Sequence, residues 1–252
     1  LYALAIGVGM GTTALVARRI GEGDRSAASV AAGQALWLGA LMSLVVAGIG
    51  LIFAEDLLRL MGAEEAVISS GSGYTRIMFS GNFTIVFLFL LNAIFRGAGD
   101  AMLALKSLWL ANSINIVLDP LLIFGLGPFP ELGVEGAAIA TNLGRGIGVI
   151  YALSFLLGRD GRIKLGLNEL RLRLGIVVSL LRISAGGVAQ YLLATASWIF
   201  LMQIVAGFGS AGVAGYVIAI RVVMFTILPA WGLSNAAATL AGQNLGAGKP
   251  DR

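Results

Sequence analysis

The chain has 252 residues, is 58% hydrophobic and 12% charged, and carries a formal net charge of +4 with a mean hydropathy of +0.92. This excludes an ordinary soluble domain, and repeated apolar runs of about 20 residues indicate a polytopic membrane protein. With no Cys and no His, disulfides, thiolate or imidazole metal sites and Cys- or His-dependent nucleophilic catalysis are excluded, and no enzyme is expected.

Only helices and closed barrels satisfy the backbone in lipid, and period-two alternation is missing, so the fold class is all-α. Seven transmembrane helices are predicted in chain order: Tyr2–Val16, Ala31–Phe53, Ile77–Phe95, Leu103–Phe124, Val134–Leu157, Ile183–Val205 and Val213–Leu240. Thirty-six glycines favour close helix approach. The chain opens inside an apolar run, LYALAIGVGMG, with no Met and no cleavable leader, which leads us to expect an internal stretch of a longer protein. The connectors are short except Gly158–Arg182. Its section LNELRLRLGIVVSLLRI predicts an amphipathic helix lying in the headgroup plane. Pro229 is expected to kink the last span.

The basic residues are unevenly distributed. Thirteen Lys and Arg, including Arg18, Arg19, Arg159, Arg173, Arg182 and Arg252, fall in one alternating set of connectors, and only Arg59 and Arg76 in the other. The positive-inside rule puts the first set in the cytoplasm. The net positive charge is thereby a topology signal and no nucleic-acid partner is needed.

A weak internal repeat appears at an offset of 225 residues: Gly7, Leu15, Gly21 and Gly23 align with Gly232, Leu240, Gly246 and Gly248. Both copies end spans of the same direction, so the repeat is parallel, about an axis along the membrane normal. The glycine turns GEGD, GAGD and GAGK lack the phosphate-loop pattern and are expected to be tight cytoplasmic hairpins.

The fourth span carries the most informative chemistry. Asn112, Asn115 and Asp119 share one face of LALKSLWLANSINIVLDPLLIF. Asp119 is an acid set inside an apolar span, about 8 Å from its outer end at 1.5 Å per residue, and an intramembrane acid is a functional candidate by default. Pro120 has no amide proton, which leaves the Ile116 carbonyl without its helical partner. Carboxylate, amide and carbonyl oxygens suit Na⁺, and the carboxylate can alternatively take a proton; Asp119 and Asn115 are the possible Na⁺ ligands. Asn92, Tyr74 and Thr141 are further candidates for the same pocket, or else make separate interhelical hydrogen bonds. Arg145, mid-span, either neutralises Asp119 or snorkels outward.

Three stretches, ALVARRIGEGDRSAA, LNAIFRGAGDAMLALKSLWLANSINIVLDPLLIFGLGPFPELGVEGAAIAT and LAGQNLGAGKPDR, resemble the multidrug and toxic compound extrusion (MATE) family. The likeness runs over essentially the whole chain and is most specific from the GAGD turn through DPLLIFG to GAAIAT. It implies two six-helix bundles across a cleft, of which this chain holds about the second to eighth helices. Residues 1–157 would be the first bundle without its first helix, 158–182 a cytoplasmic linker and 183–252 the start of the second bundle. The resemblance further implies a monomeric multi-pass protein of the inner (plasma) membrane, exporting amphiphilic or cationic small molecules in exchange for H⁺ or Na⁺, with no cofactor. In the DinF-like branch a cation-coupling cluster matches Tyr74, Asn92, Asn115, Asp119 and Thr141. The NorM-like branch uses a glutamate in the seventh helix, where this chain has Gln190 and no acid. A related flippase for lipid-linked saccharides is the alternative; it would need a strongly cationic cavity, for which Arg145 and Arg221 are available.

The charge asymmetry is directly testable. Single cysteines at Lys164 and Glu131 in the full-length protein should differ in reaction with an impermeant maleimide, with only Glu131 labelled from outside intact cells. Labelling of Lys164 from outside would reverse the orientation.

Overall fold

The computed structural model describes residues 2–60, 64–158, 161–249 and 251. The order is α1 (Tyr2–Gly21), α2 (Arg25–Leu60), α3 (Glu65–Ser80), α4 (Asn82–Gly97), α5 (Ala101–Phe124), α6 (Gly133–Leu157), α7 (Leu174–Ala206) and α8 (Gly209–Gly246). Among the described residues six helices are long and apolar enough to span a bilayer, and α3 with α4, bent by 42°, forms a seventh. The all-α fold with seven predicted spans therefore holds. Arg159 and Arg252, counted above on the basic side, lie outside the described residues.

Two predicted elements differ from the structure. The third span is not one straight helix. It breaks at Gly81, whose amide still bonds the Ile77 carbonyl at 2.9 Å, and side-chain amides add further bonds to the carbonyls around the break. Asn82 donates through Nδ2 to the Phe79 carbonyl at 2.6 Å and to the Ser43 carbonyl at 3.0 Å, and Asn142 donates to the Ile77 carbonyl at 3.0 Å. The glycine–asparagine pair at 81–82 is a turn signal that the apolar run outweighed.

The amphipathic helix expected in Gly158–Arg182 is also absent. Its described residues before Leu174 are turns and extended chain, and from Leu174 onward the sequence belongs to α7. The reason is competition for the backbone. Gln34, fully buried on α2, donates to the Arg171 carbonyl at 2.9 Å and the Glu169 carbonyl at 3.4 Å, and accepts from the Arg173 amide at 2.8 Å. Trp37 donates to the Leu170 carbonyl at 2.7 Å, and Ser29 accepts from the Lys164 amide at 3.2 Å. Ile163 and Leu165 are buried beneath this strap. Groups that would have closed a helix are held by α2 instead.

The core is built from α1, the inner faces of α2 and α4, and the small-residue faces of α5 and α6, with Leu90, Leu91 and Ile94 of α4 fully buried. Much of the outer surface is apolar, including Leu44, Ile52, Trp109 and Phe225, as a bilayer requires. Chains of glycine bring helices into backbone contact. Gly7 and Gly11 of α1 lie against Val188 and Ser184 of α7.

The repeat is visible as a reciprocal contact. Gly21 of α1 lies against the backbone of Gln243 on α8, and Gly246 of α8 against the backbone of Arg18 on α1. An offset of 225 carries residue 18 to 243 and residue 21 to 246, so each half of the contact maps onto the other, as a two-fold relation demands. Ala17 and Gly242, also equivalent, touch at the centre. Gly242 meets Ala14, Ala17 and Arg18, and Gly246, one turn on, meets Arg18 and Glu22, so the contacts advance together and α1 and α8 run in parallel. Each ends in a glycine of positive φ, Gly23 at 78° and Gly248 at 67°, and GAGD ends α4 likewise at Gly99, 79°.

Replacing Gln34 by Ala should lower the melting temperature of the full-length protein, because it leaves two carbonyls and an amide unpaired at about 1–3 kcal/mol for each buried group. An unchanged melting temperature would show that water substitutes for the amide.

Candidate functional site

The site lies between α5 and α6, and small residues bring these antiparallel helices together. Gly136, Ala140, Gly144 and Gly148 recur every fourth residue along one face of α6. Gly136 meets the Leu122 backbone, Gly144 the backbone of Ala111 and Asn115, and Gly148 Ala111 with the Ser107 carbonyl. This is a small-xxx-small interface, in which the missing side chains let backbones approach. It places Thr141, next to Ala140, beside Asn115.

The resulting cluster is compact. Asn115 donates through Nδ2 to Asp119 Oδ1 at 2.9 Å and to Thr141 Oγ1 at 3.4 Å. Asn115 and Asp119 are one helical turn apart, so the first bond needs no tertiary support, and Thr141 joins them to the neighbouring helix. All three are half-buried. Both donors of the Asn115 amide are used, which leaves its own carbonyl oxygen and the second carboxylate oxygen of Asp119 free to meet a cation or a proton. α5 continues through Pro120, and Asn112 is exposed.

The remaining sequence candidates lie apart. Asn92, 3% exposed, accepts from Ser107 Oγ at 2.8 Å. Ser107 is two turns from Asn115, about 12 Å along the axis. Asn92 thus ties α4 to α5 between the cluster and the GAGD turn. Tyr74 is half-buried on α3, and among the described residues its hydroxyl makes no hydrogen bond. Its neighbour Gly73 packs against the carboxylate of Glu135. Glu135 is a second acid within the bounds of a predicted span; it sits exposed in the first turn of α6, where an acid complements the helix dipole.

Two polar groups matter more than the sequence suggested. Asn142, next to Thr141 on α6, accepts from Thr84 Oγ1 at 3.1 Å while covering Ile77. Consecutive α6 residues therefore face the Asp119 cluster and the break at Gly81. Arg145 does not pair with Asp119: it donates through Nη2 to the Tyr2 hydroxyl at 3.0 Å, and its Nη1 is buried without a partner. Among the described residues no salt bridge reaches Asp119, and no group of three or more Asp, Glu, His or Cys forms a multidentate metal site. Gln190 is exposed on α7.

A carboxylate inside an apolar helix, a small-residue helix pair and a parallel repeat together match the architecture of polytopic secondary transporters. The MatE family model matches residues 1–121 and 188–252, and the chain belongs to that family, a family of membrane transporters and not of enzymes. It is a multi-pass protein of the plasma membrane. Over the whole chain it is 31% identical to the probable multidrug resistance protein YoeA of Bacillus subtilis, covering 55% of it. It is 30% identical to the FAD transporter of Shewanella oneidensis, covering 56% of that protein. A MOP superfamily transporter from Pyrococcus furiosus is similar in structure, with a TM-score of 0.90 and 32% identity over 98% of this chain and 54% of the other. The chain spans about half the length of the curated relatives it matches.

Proposed function

We propose that the full-length protein is a secondary active antiporter that exports amphiphilic or cationic small molecules in exchange for H⁺ or Na⁺, and that Asp119 is the coupling carboxylate of this half. The observation that carries the proposal is the Asp119–Asn115–Thr141 cluster: a half-buried acid in an apolar helix, hydrogen-bonded to one amide and, among the described residues, paired with no arginine. An acid neutralised by a permanent ion pair could not exchange a cation. Arg145, the cation most able to do so, is turned to Tyr2.

Coupling requires that ion and cargo prefer different conformations, since a ligand that binds both equally shifts nothing. Loading Asp119 changes the charge at the α5–α6 contact. Through Thr141 and its neighbour Asn142, that contact adjoins the bend between α3 and α4. This supplies a physical route from ion binding to helix movement. Asn92 and Tyr74 stand in the proposal as supporting members, on the DinF-like pattern, and the absence of an acid at Gln190 favours that branch. The drug-resistance names of the relatives support drug-like cargo, and we propose a monomer in the lipid bilayer as the working unit.

An anionic cargo, including the lipid-linked saccharides of a flippase, is the second reading. The observation favouring it is the buried, unpartnered Nη1 of Arg145, since a guanidinium in the membrane calls for an anion or water.

The test is efflux from proteoliposomes of the full-length protein under an imposed H⁺ or Na⁺ gradient. Asp119→Asn keeps the shape and removes the charge, and gradient-driven export of a cationic dye should fall to background while expression and folding persist. Asn115→Ala should reduce export less. Wild-type rates in Asp119→Asn would make Asp119 structural. An anionic dye exported in preference to the cationic one would select the second reading.

A further inference from the structure

The basic residues that mark the predicted cytoplasmic side are not evenly spread over it. Four of them, Arg18 and Arg19 on α1, Arg173 just before α7 and Arg182 on α7, line one cavity of about 410 Å³ between α1, α2 and α7. Ser179 adds a hydroxyl between Arg173 and Arg182. Residues 176, 179, 182 and 183 follow helical spacing, so these α7 groups point into the cavity from one face. Leu15, Val30 and Ile183 form its apolar wall.

The charges are unequally satisfied. Glu22 accepts from Arg19 Nη1 at 2.7 Å and Arg18 Nε at 3.1 Å. The hydrogen bond from Arg19, with a smaller one from Arg18, holds the Glu22 carboxyl below its ordinary pKa, so it stays ionised. Asp24 is engaged with the Ala27 amide, and Glu169 with the Gly166 amide. Arg173 and Arg182 form no salt bridge among the described residues. The lining holds four guanidinium groups and no acid, and Glu22 pairs with two of the four, which leaves Arg173 and Arg182 to charge a recess walled by aliphatic side chains.

We propose that this cavity binds the phosphate of an anionic phospholipid headgroup. Guanidinium groups match phosphate oxygens in bidentate geometry. Basic pockets between transmembrane helices on the cytoplasmic side suit acidic lipid headgroups. The apolar wall favours a lipid over free phosphate, because it offers acyl chains a surface that an inorganic ion cannot use. The bound lipid would bridge α1 to the start of α7, where the strap from α6 ends, and so would bias how these two helices move against each other.

The experiment uses full-length protein in nanodiscs of phosphatidylcholine, titrated with phosphatidylglycerol and read by native mass spectrometry. Replacing Arg173 and Arg182 together by Gln should weaken phosphatidylglycerol binding roughly tenfold or more, with phosphatidylcholine adducts unchanged. Glu22→Gln releases Arg18 and Arg19 and should strengthen it, a gain that misfolding cannot imitate. Millimolar inorganic phosphate should not displace the lipid. Unchanged binding in both variants, or displacement by inorganic phosphate, would overturn the proposal.

Discussion

Inside a bilayer an unpaired backbone group has no water to turn to, and at several turns and breaks of this chain side-chain amides bond the backbone. Gln34 holds the linker strap, and Asn82 and Asn142 cover the bend at Gly81. Gln243 of α8 donates to the Gly97 carbonyl at the turn between α4 and α5. Asn115 is spent differently. Its two donors serve a carboxylate and a hydroxyl, and not the Ile116 carbonyl that Pro120 leaves without a helical partner on the same turn. An amide placed to hold a charge, among amides placed to hold backbone, is the reason to read Asp119 as functional.

The fold serves that cluster in two ways. Small residues at four-residue spacing on α6 bring Thr141 against α5, and the same helix turns Asn142 toward the α3–α4 bend. At the other end, α1 and α8 meet through the reciprocal Gly21–Gln243 and Gly246–Arg18 contacts, reinforced by the bond from Gln243 to Gly97. An alternating-access transporter needs an end that closes tightly and also opens.

Much of this was legible in the sequence. Long apolar runs gave the helices, the αL glycines were marked by GEGD, GAGD and GAGK, and the pair Asn115/Asp119 was set by one helical turn. Thr141 was reachable because depth in a span can be counted. What failed did so for tertiary reasons. The linker pattern is amphipathic, yet Gln34, some 135 residues earlier, takes the backbone bonds that would have made a helix. The bend at Gly81 hid inside an apolar run because the amide that completes it, Asn142, comes from another helix. Arg145 faced a choice between Asp119 and the surface in the sequence; the structure gives it Tyr2 instead.

In the coupling proposed above, the charge state of Asp119 sets the conformation of the helices around it. Spin labels at Arg25 and Lys249, beside the paired ends of α1 and α8, would report their separation in full-length protein by pulsed electron paramagnetic resonance. In the wild-type background the distance distribution should shift when Na⁺ is added or the pH is lowered. With Asp119→Asn it should stay in one population under both treatments. A wild-type response to H⁺ or Na⁺ in the Asp119→Asn protein would contradict the account.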